Sequence, residues 1–277
     1  LAPLLMASLL AATSCAAPLP APAPPPESPT TSADLSGIKT YLLDQASALK
    51  GSTSSLKAET DRYYGLAEAA GFDYEQLWRD HPADVIAVVE GARNAWIQAS
   101  PQYEKMEGIV AGTPTLADYD VILDAGANGA EDPENAAPID LTLADGRVLA
   151  RPGNLFGVTE STLWGTYPGY TAGVDADLDQ DGLFEFGEML PDAAVLQAGA
   201  NALDDYAGKL LASAETWTPN TSDAFTALVV MVPTMSEYFE SWRNSRFVSG
   251  EGSTQRDFVA ISRLADMQDI LGGLQVV

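Results

Sequence analysis

PADVIAVVEGARNAWIQASPQYEKMEGIVAG, residues 82–112, decides how this chain folds. Pro82 suits the first position of a helix. Behind it, Val85, Val89, Ala92 and Trp96 recur at steps of four and three, the repeat of one helical face. Ser100-Pro101 reads as a second start of the same kind, an N-cap followed by proline. The pattern therefore predicts a break near 100 and a separate short helix carrying YEKMEGIV. Outward from here the periodicity repeats. Ile38, Leu42 and Leu43, then Leu56, Tyr63, Leu66 and Ala70, give two helices interrupted by GSTSS at 51–55 and closed by Gly71. Thr115 is placed to cap LADYDVILDAG. Further helices are expected over 191–215, 223–247 and 254–271, with Pro233 kinking or dividing the second. The last is drawn from Phe258, Ile261, Leu264, Met267 and Leu271. The fold class is all-α, a helical bundle.

One stretch departs from helical patterning. From 125 to 190 Gly, Pro, Asn and Asp are dense, and IDLTLADGRVLAR alternates around Asp145-Gly146 as a hairpin would. From 115 to 192 sixteen acids face two arginines, a local charge of −14 within a total of −25. Such acidity excludes binding of nucleic acid through a basic patch and favours cations. With five lysines in 277 residues, the surface also fits adaptation to salt.

Residues 1–14, LAPLLMASLLAATS, carry no charge and match the apolar part of a signal peptide. Cys15, the one cysteine, follows directly, and the junction resembles a bacterial lipobox, with Ala12 where that motif prefers Leu. The resemblance implies a lipidated Cys15. Residues 15–34 are rich in Pro and Ala and read as an extended tether. Residues 35–277 are expected to form a single helical domain. The expected location is extracytoplasmic, anchored to a membrane by lipid.

Within the acidic excursion stands DLDQDGLFEFGE, residues 177–188, which fits the EF-hand calcium loop D-x-D-x-D-G-x5-E. Asp177, Asp179 and Asp181 would each offer one oxygen to a single point. Gly182 permits the sharp turn, Leu183 would give its carbonyl, Glu185 would bind directly or through water, and Glu188 would give two oxygens. Phe184 is the residue that packs inward in this family. Pro168, Gly169 and Gly173 forbid a long entering helix, so the loop reads as a structural calcium site.

His81 is the one histidine, which removes zinc sites of His and Cys and leaves a catalytic triad no other base. Before Pro82 it reads as a cap or surface residue. Glu104 and Glu107, three apart, share a helical face and can reach one cation, although a solvated pair has the same spacing. Tyr63 with Glu59, Asp120 with Asp124, and Glu237 with Glu240 are similar pairs. Met231 and Met235 on the face of Tyr238 and Trp242 read as core.

PQYEKMEGIVAG, then DYDVILDAG, then MSEYFESWRNSRF, resemble the algal iron-assimilation protein family and its bacterial relatives over roughly 35–271. More distantly the chain resembles the imelysin-like periplasmic iron-uptake lipoproteins, whose His-x-x-Glu motif is absent. The resemblance implies that Glu104 and Glu107 hold iron, with a membrane transporter as partner. Ferric iron, a hard cation, suits carboxylate and phenolate oxygens. Glu104, Glu107, Tyr63, Glu59, Asp124 and Glu240 are the expected second metal site. Two other readings stay open: a calcium-dependent adhesion or scaffold module without a second metal, and a hydrolase using an acid pair.

If Cys15 carries the lipid, detergent phase partition should move the full chain into the detergent and leave Cys15→Ser in the aqueous phase. Equal partition of the two would remove the anchor.

Overall fold

The two longest helices run straight through the places where the sequence predicts interruptions. The computed structural model describes residues 34–256 and 258–277. The expected signal segment, Cys15 and the tether as far as residue 33 lie outside the described residues. Residues 34–277 form one compact unit.

Helix α1 spans Ser36–Ala69 without a break at GSTSS. Leu49, Thr53, Leu56, Thr60 and Tyr63 continue one buried stripe across it. Thr53 is the buried residue of this stretch, and Asp204, on a facing helix, takes its donor and that of Ser54. Thr53 Oγ1 and Ser54 Oγ donate to Asp204 Oδ1 at 3.0 and 2.9 Å, and Lys50 pairs with the same carboxylate. A short α2, Tyr74–Asp80, is capped by Asp73, whose side chain accepts from the amide of Gln76 at 2.9 Å.

Helix α3 spans Pro82–Gly112 and contains Pro101 in its interior, correcting the expected break. Proline there forfeits a backbone hydrogen bond. The buried stripe nevertheless continues in register from Trp96 and Ala99 through Tyr103 and Met106 to Val110. Packing along the whole stripe outweighs the local preference. Thr115 caps nothing. The next helix, α4 (Ala117–Asp120), has Leu116 at its N-cap without a side-chain bond, and it widens into a π-helical turn at Val121–Ala125.

The excursion holds the expected hairpin, β1 (Leu141–Thr142) against β2 (Val148–Leu149), with Gly146 at φ 88°. Helix α5, Leu155–Leu163, follows. Next, β3 (Thr171–Asp175) pairs antiparallel with β4 (Met189–Pro191). Helix α6, Ala193–Thr216, is capped by Asp192, and α7, Thr221–Arg243, by Asn220. Pro233 lies inside α7 and does not divide it. A short α8 follows at Arg246–Ser249.

The last helix, α9, spans Arg263–Leu274 rather than 254–271. The reason is a contact from a distant segment. Glu160 Oε1, on α5, accepts from the amides of Ile261 and Ser262, both at 3.0 Å. Those amides are held outside the helix, and α9 begins directly after them.

Helix α1 packs on α3 and α6, while the second half of α3 packs on α7 and α9. No described helix is long and apolar enough to cross a membrane.

Helices α3 and α7 approach closely at Gly112. A Cβ there would lie 2.4 Å from the Ala227 Cα. Gly112→Ala should lower stability by ~1–3 kcal/mol through overpacking. Gly51, inside α1 with nothing near it, should gain ~0.5–1 kcal/mol as Ala. Urea unfolding reads both. Wild-type stability in Gly112→Ala would contradict the close approach.

Candidate metal centre

Past Pro101, α3 turns Glu104 and Glu107 inward, and both are almost fully buried. The π-helical turn after α4 delivers Asp124 to the same point. One carboxylate oxygen from each of the three lies within 4.8 Å of the others. Glu104 Oε2, Glu107 Oε2 and Asp124 Oδ2 are buried without a hydrogen-bond partner. Buried polar groups are nearly always satisfied, because stripping their water without replacement costs ~1–3 kcal/mol each, and more for a charge. Three such oxygens turned together therefore call for a shared partner.

Neighbouring side chains fix this cluster. Tyr238 of α7 donates its hydroxyl to Glu107 Oε1 at 3.1 Å. Tyr103 of α3 donates to Asp120 Oδ1 at 2.7 Å. Arg263 of α9 lies over the Tyr238 ring at 4.1 Å. Asp266, one turn along α9, accepts from the Ser262 hydroxyl at 2.9 Å.

Burial, then the charge of Asp124, raise Glu104 and Glu107 well above the usual carboxylate range. Burial also raises Asp124, against the pull of Arg263. It lifts Asp120 to about 7, Asp266 to about 6 and Glu160 to about 8. Without a cation burial favours the protonated forms of these groups. A multivalent cation would displace those protons and take the oxygens. Carboxylates alone suit a hard cation such as ferric iron, and among the described residues no thiol or imidazole joins them to select a softer one.

The other expected partners are elsewhere. Tyr63 is fully buried in the core and donates to the Pro191 carbonyl at 2.9 Å. Glu59 pairs with Arg62 and Glu240 with Arg243, both at 2.6 Å. Glu237 is exposed. Spacing placed each pair on a helical face but could not say which face meets the cluster. Tyr103, Tyr238, Arg263 and Asp266 were not anticipated. Their one signal was a polar group set within an apolar helical repeat. His81 is exposed and lies 3.5 Å from Asp84. Met231 and Met235 are core.

The acidic loop lies between β3 and β4, not between helices. Asp177 Oδ2 accepts from the Gly182 amide at 3.0 Å, with Gly182 at φ 87°. Asp179 and Asp181 each accept from the amide two residues on, at 3.1 and 2.8 Å. Glu188 reaches back, accepting from Leu178 at 2.8 Å and from Glu185 at 2.9 Å. These amides, led by that of Glu185, hold Glu188 below the usual carboxylate range. One oxygen each of Asp177, Asp179 and Glu188 lies within 4.8 Å of the others, and Asp177 Oδ1 is buried and unpartnered. Asp181 and Glu185 stand outside that trio. Leu183 and Phe184 are exposed, Phe184 by 66%. The expected inward packing of Phe184 fails because strands, not helices, flank the loop and give the ring nothing to enter.

Fold and cluster together define an all-helical protein with a buried carboxylate centre. The family model described as imelysin, peptidase M75, matches residues 39–277, and the chain belongs to the imelysin family. Searches of curated proteins and of solved structures found no match.

The raised acids set a pH dependence. A carboxyl whose folded pKa exceeds its unfolded value binds more protons when folded, so its contribution to stability is full below the unfolded value. That contribution is lost as pH rises through the folded value. The metal-free protein should therefore melt at falling temperature from about pH 4, the unfolded range, to about 8, set by Glu160. Glu104→Gln with Glu107→Gln should flatten the slope. An unchanged slope would show that surface repulsion alone produces it.

Proposed function

We propose that this protein binds iron at Glu104, Glu107 and Asp124, outside the cytoplasm, for uptake or assimilation. The observation that carries the reading is the convergence of three buried, unpartnered carboxylate oxygens. Membership of the imelysin family supports it in general form, since that family is linked to iron uptake. The finer likeness to the algal iron-assimilation proteins rests on the E-x-x-E pair, which here is half of the cluster. Lipid anchoring through Cys15 and hand-off to a membrane transporter belong to the same reading.

The family's name includes a peptidase, and buried acids with raised pKa values also suit catalysis. Iron binding is favoured because an acid peptidase shares one proton between two carboxylates, whereas here a third joins them at the same point. Here three carboxylates draw to one point, and a tyrosine hydroxyl orients one of them.

Calcium is proposed at the β3–β4 loop, held by Asp177, Asp179 and Glu188, with Asp181, Leu183 and Glu185 completing the shell. Its role is to hold the loop. Ala176 and Leu178 anchor it in the core, and Arg93 of α3 donates to the Gly187 carbonyl.

Elemental analysis and iron titration after saturation with calcium test both sites. Glu104→Gln, Glu107→Gln and Asp124→Asn should each weaken iron at least tenfold, about the ~1.4 kcal/mol that separates decades of affinity, and leave calcium unchanged. Glu188→Gln should do the reverse and lower the melting temperature in calcium. Calcium alone, with no iron that these substitutions alter, would favour the scaffold reading.

A further inference from the structure

Helix α7 is apolar on two opposite faces. Ala227, Met231 and Met235 turn toward α3 and α9, with Tyr238 on the same side. On the far side Phe225, Val229, Val232 and Phe239 are exposed by 65, 72, 56 and 43%. A helix that is apolar all round belongs in a buried setting. These four, with Ser236 among them, recur at steps of four, three, four and three. They form one stripe roughly 21 Å long, at ~1.5 Å of rise per residue.

Spacing, charge and area together say what covers the stripe. A four–three repeat keeps an apolar seam facing a second helix along its whole length, which is how like helices pair. From Ala224 to Ser236 α7 carries no charge, in a chain of net charge −25. A basic partner would find no acid on the stripe to pair with, and an anionic bilayer would be repelled by the rest of the molecule. A second copy brings the same uncharged seam. Glu237, Glu240 and Arg243 all lie toward the C-terminal end of α7, while Asp223, at the other end, is turned to Trp217 and Asn220. Antiparallel pairing sets each charged end against an uncharged one, whereas parallel pairing would set like charges together. The four exposed side chains offer on the order of 400 Å² per copy, the size of the largest patch on an ordinary monomer. Two copies would bury roughly 800 Å² of apolar surface, which at the ~65% apolar share of homodimers makes an interface of roughly 1,200 Å², the lower end for a specific pair.

We propose that two copies of this chain pair antiparallel along α7, through Phe225, Val229, Val232, Ser236 and Phe239. The contact is isologous, with Val232 on the two-fold axis and each Phe225 against the partner's Phe239. Tyr238, which donates to Glu107, belongs to the opposite face of the helix. The carboxylate cluster therefore stays outside the interface, and pairing does not depend on any metal.

The test uses the full chain carrying Cys15→Ser, so that no native thiol interferes. Sedimentation equilibrium should show a monomer–dimer equilibrium that tightens about tenfold or more as sodium chloride rises from about 0.05 to about 1 M, because salt screens the repulsion between two acidic chains. Val232→Glu, at an exposed position, should keep the circular dichroism spectrum and remain monomeric at every salt concentration. Under mild oxidation Val232→Cys should give a disulfide-linked dimer. Phe225→Cys alone should not, nor should Ile97→Cys at an exposed apolar position elsewhere, whereas Phe225→Cys combined with Phe239→Cys should. A chain that stays monomeric in high salt would overturn the pair, and so would a dimer that survives Val232→Glu. Cross-linking through Phe225→Cys alone would overturn the antiparallel arrangement. A monomer that floats with anionic lipid vesicles, when Val232→Glu does not, would give the stripe to a bilayer and overturn the proposal as well.

Discussion

Burying several carboxylates in one place is the constraint around which the rest of this molecule is arranged. A single ionised carboxylate in a low-dielectric interior is expensive, and neighbours of like charge make it worse. Glu104, Glu107 and Asp124 meet with oxygens unpartnered, while Asp120 raises Glu107, and Asp266 raises Glu104 and Glu160. The protein tolerates this through protonation, through the hydroxyls of Tyr103 and Tyr238, and through one buried arginine. A proton lets Glu104 and Glu107 share a hydrogen bond, and a bound cation would take all three oxygens.

The two acid-rich regions solve opposite problems. In the buried cluster desolvation keeps protons on, so cation binding must expel them and should strengthen as pH rises. In the β3–β4 loop backbone amides already point at the carboxylates and keep Glu188 ionised. The loop is shaped as an anionic cup. A cation at the cluster would have to compete with protons, a condition ferric iron meets as a hard, highly charged ion. Such a division suits one site that stays filled and holds structure, and another that loads and unloads.

The helical bundle and the β1–β2 hairpin were legible in the sequence because each rests on local pattern, while the imelysin likeness came from the chain's overall character, its His-x-x-Glu motif being absent. The i,i+3 spacing of Glu104 and Glu107 put both on one face, and the structure shows that face turned inward. What local pattern could not supply was the outcome of competition between distant segments. Pro101 and GSTSS look like breaks, yet the facing helices hold α3 and α1 continuous, in the second case through Asp204. The start of α9 is decided by Glu160, about a hundred residues earlier, and with it the placement of Arg263 and Asp266. Tyr63 offered a phenol at the right spacing from Glu59, but its stripe faces the core near Pro191 rather than the cluster.

The central claim, that the three unpartnered oxygens form an iron site, is tested most directly by locating the metal. Crystals of the full chain loaded with ferric iron and calcium would be measured on both sides of the iron absorption edge. The account predicts an iron-specific anomalous peak among Glu104, Glu107 and Asp124, and none at the β3–β4 loop. Iron confined to the loop or the acidic surface, with those three oxygens bound only to water or to one another, would contradict it.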